Sequence, residues 1–298
     1  MIELARIYRG TNIESIHHGY LAIAKHDQAK VIDHDFATFT RSILKPLQAK
    51  VSKDLSSGLL KDKYLAIACA SHNNEKGQLD VLNDFIKNFD LDVNLLQCGI
   101  CGVHHNDAKP INHNCAGKHL AFLLACQQQS WSVHDYHLLE HPLQQAIVTE
   151  IKRLMPQIQI DTAIDGCGVP TFYMQLKDMA LMFRNMIQDS SYQEIIATMN
   201  QYPMLIAGKK YFDSLLMAQY PSKYLSKGGA EGLMLFADLD LAQVVVLKTL
   251  DGSQRVKAAC SQALIGIELE GIALDLTNSQ GEKIGFIKSS VDKSLLDL

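Results

Sequence analysis

The chain has 298 residues, 47% hydrophobic and 20% charged, with 18 glycines and seven prolines; this ordinary globular composition excludes disordered, collagen-like and low-complexity classes. Twenty-eight Lys and Arg against 32 Asp and Glu give a net charge of −4 without a basic run, so nucleic acid is not an expected partner. Residues 1–20 carry Glu3, Arg6, Arg9 and Glu14 instead of an apolar signal core, no stretch is long enough to span a membrane, and the seven cysteines are an odd number, which predicts a soluble cytoplasmic protein with reduced thiols.

In chain order, residues 20–24 form an apolar run, His26-Asp27 a polar turn and residues 29–33 a return, which reads as a hairpin. Helical three-to-four spacing of apolar residues then marks residues 77–89, 118–129, 142–154, 173–187 and 192–202. Residues 233–237 and 242–247 form a second hairpin about Asp238-Leu239-Asp240, followed by a helical pattern over 254–268 and a short strand over 283–288. Strands at both ends with helices between them predict an α+β fold: an antiparallel sheet built from N- and C-terminal segments, with flanking helices and an inserted helical subdomain. No repeat or linker divides the chain. We therefore expect a single domain over 1–298, with 1–50 and 205–298 bearing the sheet and 51–204 mainly helical.

Several segments carry chemistry. Ser42-Ile43-Leu44-Lys45 is a Ser-x-x-Lys in which the lysine, one helical turn on, can take the serine's proton. A second match, Ser290 to Lys293, lies in a charged tail that offers little to hold a site rigid. Asn114-Cys115-Ala116-Gly117-Lys118-His119 puts a thiol, an amine and an imidazole where a loop becomes a helix, whose N-terminus favours the thiolate. The plainer reading, solvated first-turn residues beside a small buried cysteine, stays open. Asp165-Gly166-Cys167-Gly168-Val169-Pro170 reads as a tight loop rather than a helix or strand, and Ser226-Lys227-Gly228-Gly229-Ala230-Glu231-Gly232 as a glycine-rich loop before a strand. Cys98 and Cys101 with His104 and His105 resemble half a zinc site or a redox pair, but no second Cys-x-x-Cys follows. No nucleotide-binding signature is present.

Taken together and in order, Arg9-Gly10, Glu14-Ser15-x-His17, Arg41-Ser42-x-x-Lys45-Pro46-x-Gln48, Ala68-Cys69-Ala70-Ser71-His72, Cys98-Gly99, Cys115-Ala116-Gly117-Lys118-His119, His141-Pro142, Asp165 to Pro170, Lys227 to Gly232 and Asp251-Gly252 resemble the L-asparaginase family typified by the rhizobial inducible enzyme. That family is unrelated to the asparaginases with threonine nucleophiles, and its fold is similar to that of serine beta-lactamases and glutaminases. The chain departs from the family pattern in having Ala116 for Ser, Asn74 for Gly, and Lys76-Gly77-Gln78 where a second His is usual; Cys101 and His104-His105 look like local additions.

The resemblance implies hydrolysis of the side-chain amide of L-asparagine to aspartate and ammonia through an acyl-serine intermediate. Ser42 is the implied nucleophile with Lys45 as its base, and Ser71 with Lys227 is a second serine-lysine pair. Cys115, Lys118 and Cys167 are the implied zinc ligands. His119, Asp165, Lys118, Cys115 and Arg41 are implied to line the substrate site, and a homodimer is the expected assembly. For Lys45 to act as a base its pKa must fall from about 10.4 to roughly 7 to 8, a shift that burial and a neighbouring Lys227 cation would supply. The N–H of Ser42 is an expected oxyanion donor. A glutaminase or other amidase on the same fold, and a non-catalytic zinc or asparagine sensor, are the alternative readings.

Overall fold

The computed structural model describes residues 1–100 and 109–297. Cys101, His104 and His105, the ligands the sequence offers beside Cys98, lie outside the described residues. The chain begins with the strands β1 (Ile2–Arg9), β2 (Asn12–Lys25), β3 (Gln28–Ile32) and β4 (Ala37–Phe39). A 3-10 turn at Arg41–Leu44 then leads into α1 (Lys45–Leu55), α2 (Asp62–Cys69), α3 (Lys76–Asn88), α4 (Ala116–Gln128) and α5 (Pro142–Leu154). The hairpin of β5 (Asp161–Ile164) and β6 (Pro170–Gln175) precedes α6 (Leu176–Gln188), α7 (Gln193–Gln201), the single turn α8 (Pro203–Ile206) and α9 (Phe212–Gln219). Last come β7 (Tyr224–Gly228), β8 (Leu233–Asp238), β9 (Gln243–Thr249), α10 (Lys257–Ile265), β10 (Asp275–Thr277) and β11 (Lys283–Ser289).

The main sheet is antiparallel and eight-stranded, in the order β10-β11-β1-β2-β9-β8-β7. Its eighth strand, β3, shares one edge of the long β2 with β1: Ile2 to Arg9 pair with the first half of β2, and Gln28 to Ile32 with Leu21 to Lys25. The opposite edge of β2 pairs with β9 from Gly19 to Ala24. Strands from both chain ends therefore interleave, as expected from sequence, and the fold is α+β. Period-two alternation sorts the side chains onto two cores. Leu21, Ile23, Val245, Leu247 and Phe236 face α9 and α10; Ala22, Ala24, Val244, Val246 and Leu235 face α6 and the remaining helices.

Within the helical part, α4 packs against both α1 and α2. Residues 116–126 are all buried, and Gly117 meets Ile67 so closely that a Cβ there would stand 2.1 Å from the Ile67 carbonyl oxygen. This contact brings the C-terminus of α2 beside the N-terminus of α4.

The structure corrects three readings of the sequence. The helix expected to begin at Tyr173 begins at Leu176, because Tyr173 to Gln175 end β6, which pairs with both β4 and β5. Asp165 to Val169 is a tight loop, but it is the turn of a hairpin whose strands include Ile164 and Pro170. Ser226, Lys227 and Gly228 belong to β7 itself, an edge strand paired with β8.

Candidate active site

Four element ends meet at one point. Lys45 opens α1, Ser71 follows α2 by two residues, Cys115 caps α4, and Lys227 lies near the end of β7. Ser71 Oγ is the common partner: it accepts from Lys45 Nζ at 3.0 Å and from Lys227 Nζ at 3.0 Å. Both amines are fully buried, which their many polar contacts make tolerable. Lys45 also donates to the carbonyls of Ala70 (2.5 Å) and Asn114 (3.4 Å), and Lys227 to the Gly228 carbonyl at 2.8 Å. The hydrogen bonds of Lys45 thus go to Ser71 and backbone, and none goes to Ser42. Ser42 is half-buried in the 3-10 turn, one turn ahead of Lys45.

The amine brought into the range of a general base is Lys227. Burial pulls its pKa down to about 7, the Lys45 and Lys257 cations add to that, and Asp213 opposes it. Asp213 at the start of α9 is buried and accepts from Ser226 Oγ (2.9 Å) and Gly228 N (2.7 Å). Sequence inspection passed over Asp213 and Lys257, since each is a single charge at the head of a short helix. The one signal for Asp213 was that a buried lysine needs a counter-charge.

A second cluster adjoins the first. Lys118 Nζ lies 3.0 Å from Cys167 Sγ, and Cys115 adjoins Cys167. All three side chains are buried. The thiol pair holds one negative charge on Cys115, whose pKa is driven down by the Cys167 hydrogen bond despite burial, while that of Cys167 is driven up. The charge shared by the two sulfurs holds Lys118 above its ordinary value against strong desolvation. Among the described residues no three His, Cys, Asp or Glu side chains are placed to hold a metal ion. A metal here would therefore need the Lys118 amine as its third ligand beside the two sulfurs. Two sulfurs and an amine nitrogen would suit zinc once all three have given up their protons.

Arg41 closes the cluster toward solvent. Its backbone is left-handed at φ +44°, a conformation costing about 1–2 kcal/mol in a residue with a Cβ. Its N–H donates to Thr171 Oγ1 at 3.2 Å, its Nε donates to Asp165 Oδ1 at 2.6 Å, and Glu231 stands 4.0 Å from the guanidinium. Asp165 Oδ2 in turn lies 3.9 Å from Cys167 Sγ. The β5–β6 turn is thereby tied to the residue preceding Ser42.

His119 is fully buried; Nδ1 pairs with the Tyr136 hydroxyl at 2.8 Å, and Nε2 has no partner among the described residues. Burial, and then the Lys118 cation, hold it neutral. Cys98 is buried with its pKa pushed up to about 12, the state of an inert thiol. Ser290 donates to Glu3 Oε1 at 2.5 Å on the sheet surface. Two departures from the family pattern have structural counterparts. Asn74 stands at φ +59°, which glycine and asparagine adopt most readily. Gln78 ties the loop after Ser71, accepting from the N–H groups of Asn73 (2.9 Å) and Glu75 (3.2 Å) and donating to the Leu205 carbonyl at 3.2 Å.

A family model described as L-asparaginase II matches residues 5–275. No curated protein matches the chain. Among solved structures, the chain is similar to that of a candidate beta-lactamase from Bacteroides dorei DSM 17855, with 10% identity over 89% of this chain and 88% of that one and a TM-score of 0.43. No helix among the described residues is long and apolar enough to cross a membrane.

Proposed function

The chain belongs to the L-asparaginase II family, and from that premise we propose that it hydrolyses the side-chain amide of L-asparagine to aspartate and ammonia through an acyl-serine intermediate. The observation that carries the reading is the pair of buried amines converging on Ser71 Oγ. Lys227, at about 7, is part-neutral at physiological pH and takes the Ser71 proton; Ser71 takes one from the Lys45 ammonium. Lys45 is left as a free amine one turn beyond Ser42 and receives the Ser42 proton as its oxygen attacks the amide carbon. The same protons return along Lys45 and Ser71 to the departing ammonia. The Lys45–Ser42 contact closes as substrate binds, as catalytic hydrogen bonds commonly do. Arg41 and Asp165 at the mouth, with Cys115, Lys118 and His119 behind them, are proposed to hold the amino-acid end of the substrate.

Cys115, Lys118 and Cys167 are the residues that would hold zinc, which when bound there supplies a Lewis acid at the substrate end opposite the scissile amide. Replacing Cys167 by Ala is expected to lower zinc content, read by elemental analysis, and to raise KM with little change in kcat. Unchanged metal content would reject this ligand set. A homodimer, expected by resemblance, and the single-domain organisation and cytoplasmic location, expected from the sequence, belong to the same proposal.

A second reading makes Ser71 the acyl acceptor, favoured by its two amine contacts. Ammonia release from L-asparagine by the Ser42→Ala and Ser71→Ala variants, with intact-mass trapping of the acyl-enzyme, separates the two. We expect loss of at least about 10³-fold in kcat for Ser42→Ala with no trapped adduct. An adduct that forms on Ser42→Ala and vanishes in Ser71→Ala would install the second reading. Parallel assays with L-glutamine address the one-methylene alternative, which a pocket separates by only about 1–3 kcal/mol. Stoichiometric asparagine binding without ammonia release would instead mark a sensor.

A further inference from the structure

We propose that Asp213 is a positioning residue that acts through Lys227: it aligns β7 and fixes, by its charge, the pH at which the Lys227 amine becomes free. This rests on the catalytic reading above. Asp213 does two separable things. Its Oδ2 accepts from Gly228 N at 2.7 Å and its Oδ1 from Ser226 Oγ at 2.9 Å, so it grips the residues on either side of Lys227. Its carboxylate also stands 4.0 Å from Lys227 Nζ, with both side chains almost wholly excluded from water.

The surroundings make that charge count. Lys227 faces Lys45 from α1, Cys69 and Ser71 at the end of α2, Cys115 from the cap of α4, Asp213 from α9 and Lys257 from α10. Two of these are cations that disfavour a proton on Lys227, and Asp213 is the carboxylate that favours one. Lys257 reinforces the grip from the other side. Its Nζ donates to the carbonyls of Gly229 (3.0 Å) and Leu233 (3.1 Å), which fixes the turn after β7. Gly228 lies between the two charged groups. A Cβ there would meet Asp213 Oδ2 at 3.1 Å and Lys257 Nζ at 3.3 Å, which accounts for glycine at that position.

The sign of the effect is fixed. Asp213 raises the pKa of Lys227, so removing the charge lowers it, and the acidic limb of activity, where the base gains its proton, moves to lower pH. Asp213→Asn is the variant of choice. Its amide oxygen can still accept from Gly228 N, and its amide nitrogen can donate to Ser226 Oγ, which is free to donate to the Leu235 carbonyl at 3.1 Å. Ser226→Ala is the complement: it removes one hydrogen bond to Asp213 and leaves the charge.

The experiment is the pH dependence of kcat/KM for asparagine with the purified wild type, Asp213→Asn and Ser226→Ala, alongside thermal melts. We expect the acidic limb to move down by at least about one pH unit in Asp213→Asn and to stay in place in Ser226→Ala. A limb that stays in place in a folded Asp213→Asn, or moves equally in both variants, overturns the inference. A wild type with no acidic limb would instead refute the lysine-base reading on which it rests. Should Asp213→Asn not fold, direct NMR titration of the labelled Lys227 amine in wild type and Asp213→Ser decides: a lower Lys227 pKa in the variant supports the inference, and an unchanged one overturns it.

Discussion

At the scale of residues, the site is an exercise in keeping three lysines dry. Lys45, Lys227 and Lys257 are all buried, and the charges facing them are the Asp213 carboxylate and the Cys115 thiolate. Such burial costs stability with a definite pH signature. Lys227 has a folded-state pKa near 7 against an ordinary value of 10.5. Between those values the unfolded chain holds a proton that the folded chain lacks, so this group makes the fold more stable as pH rises through the window; below pH 7 the full penalty is present. Lys227→Met should therefore abolish turnover and still raise the melting temperature, by the equivalent of about 2 kcal/mol at pH 6 and by less at pH 9. Differential scanning calorimetry at the two pH values checks it; equal shifts would mean that desolvation of the amine is not the cause. The sequence made Ser42, Lys45, Ser71 and Lys227 visible as residue types in a recurrent order. It did not show that Lys45 reaches Ser71 rather than Ser42, nor that burial pulls the Lys227 amine down, because both depend on which helix end faces which strand.

At the scale of elements, legibility followed exposure. α5 over Pro142–Leu154 has one buried face and was read to the residue, and α3, with Leu82 and Phe85 buried on one side, nearly so. β8 and β9 were legible as apolar runs between polar turns. α2 was not singled out, since the buried run Leu65 to Cys69 of this two-turn helix has no polar face to give a period. β7 reads as a loop in the sequence because its last residue, Gly228, answers to the close approach of Asp213 and Lys257 and not to a turn. β1 was missed because its charged Glu3, Arg6 and Arg9 interrupt the alternation, although Glu3 and Arg6 are satisfied by each other at 2.7 Å. One close contact between helices is the approach of α4 to α2 at Gly117. Since the atom in the way is the backbone oxygen of Ile67, Gly117→Ala must push α2 and α4 apart. We expect a loss of about 3 kcal/mol in urea unfolding together with reduced turnover, because the displaced ends carry Ser71 and Cys115. Reduced turnover without loss of stability would place the close approach elsewhere.

At the scale of the whole molecule, the sheet is a scaffold with helices on both faces, and the reactive residues all lie where the ends of helices meet β7 and the β5–β6 turn. The proposed site draws on residues from Arg41 to Lys227, and their alignment on Lys257, so it exists only when sheet and helices are docked. One feature of the sheet then bears on how the protein is made. β1 is hydrogen-bonded on one side to β2, a neighbour in sequence, and on the other to β11, through pairs such as Ala5 with Ser289 and Arg9 with Gly285. During synthesis at about 5–20 residues per second, roughly 15–60 seconds separate the emergence of those two strands. Throughout that interval the far edge of β1 is an open template for another chain. The polar side chains it displays there, Glu3, Arg6 and Arg9, serve as its guard until the partner strand arrives.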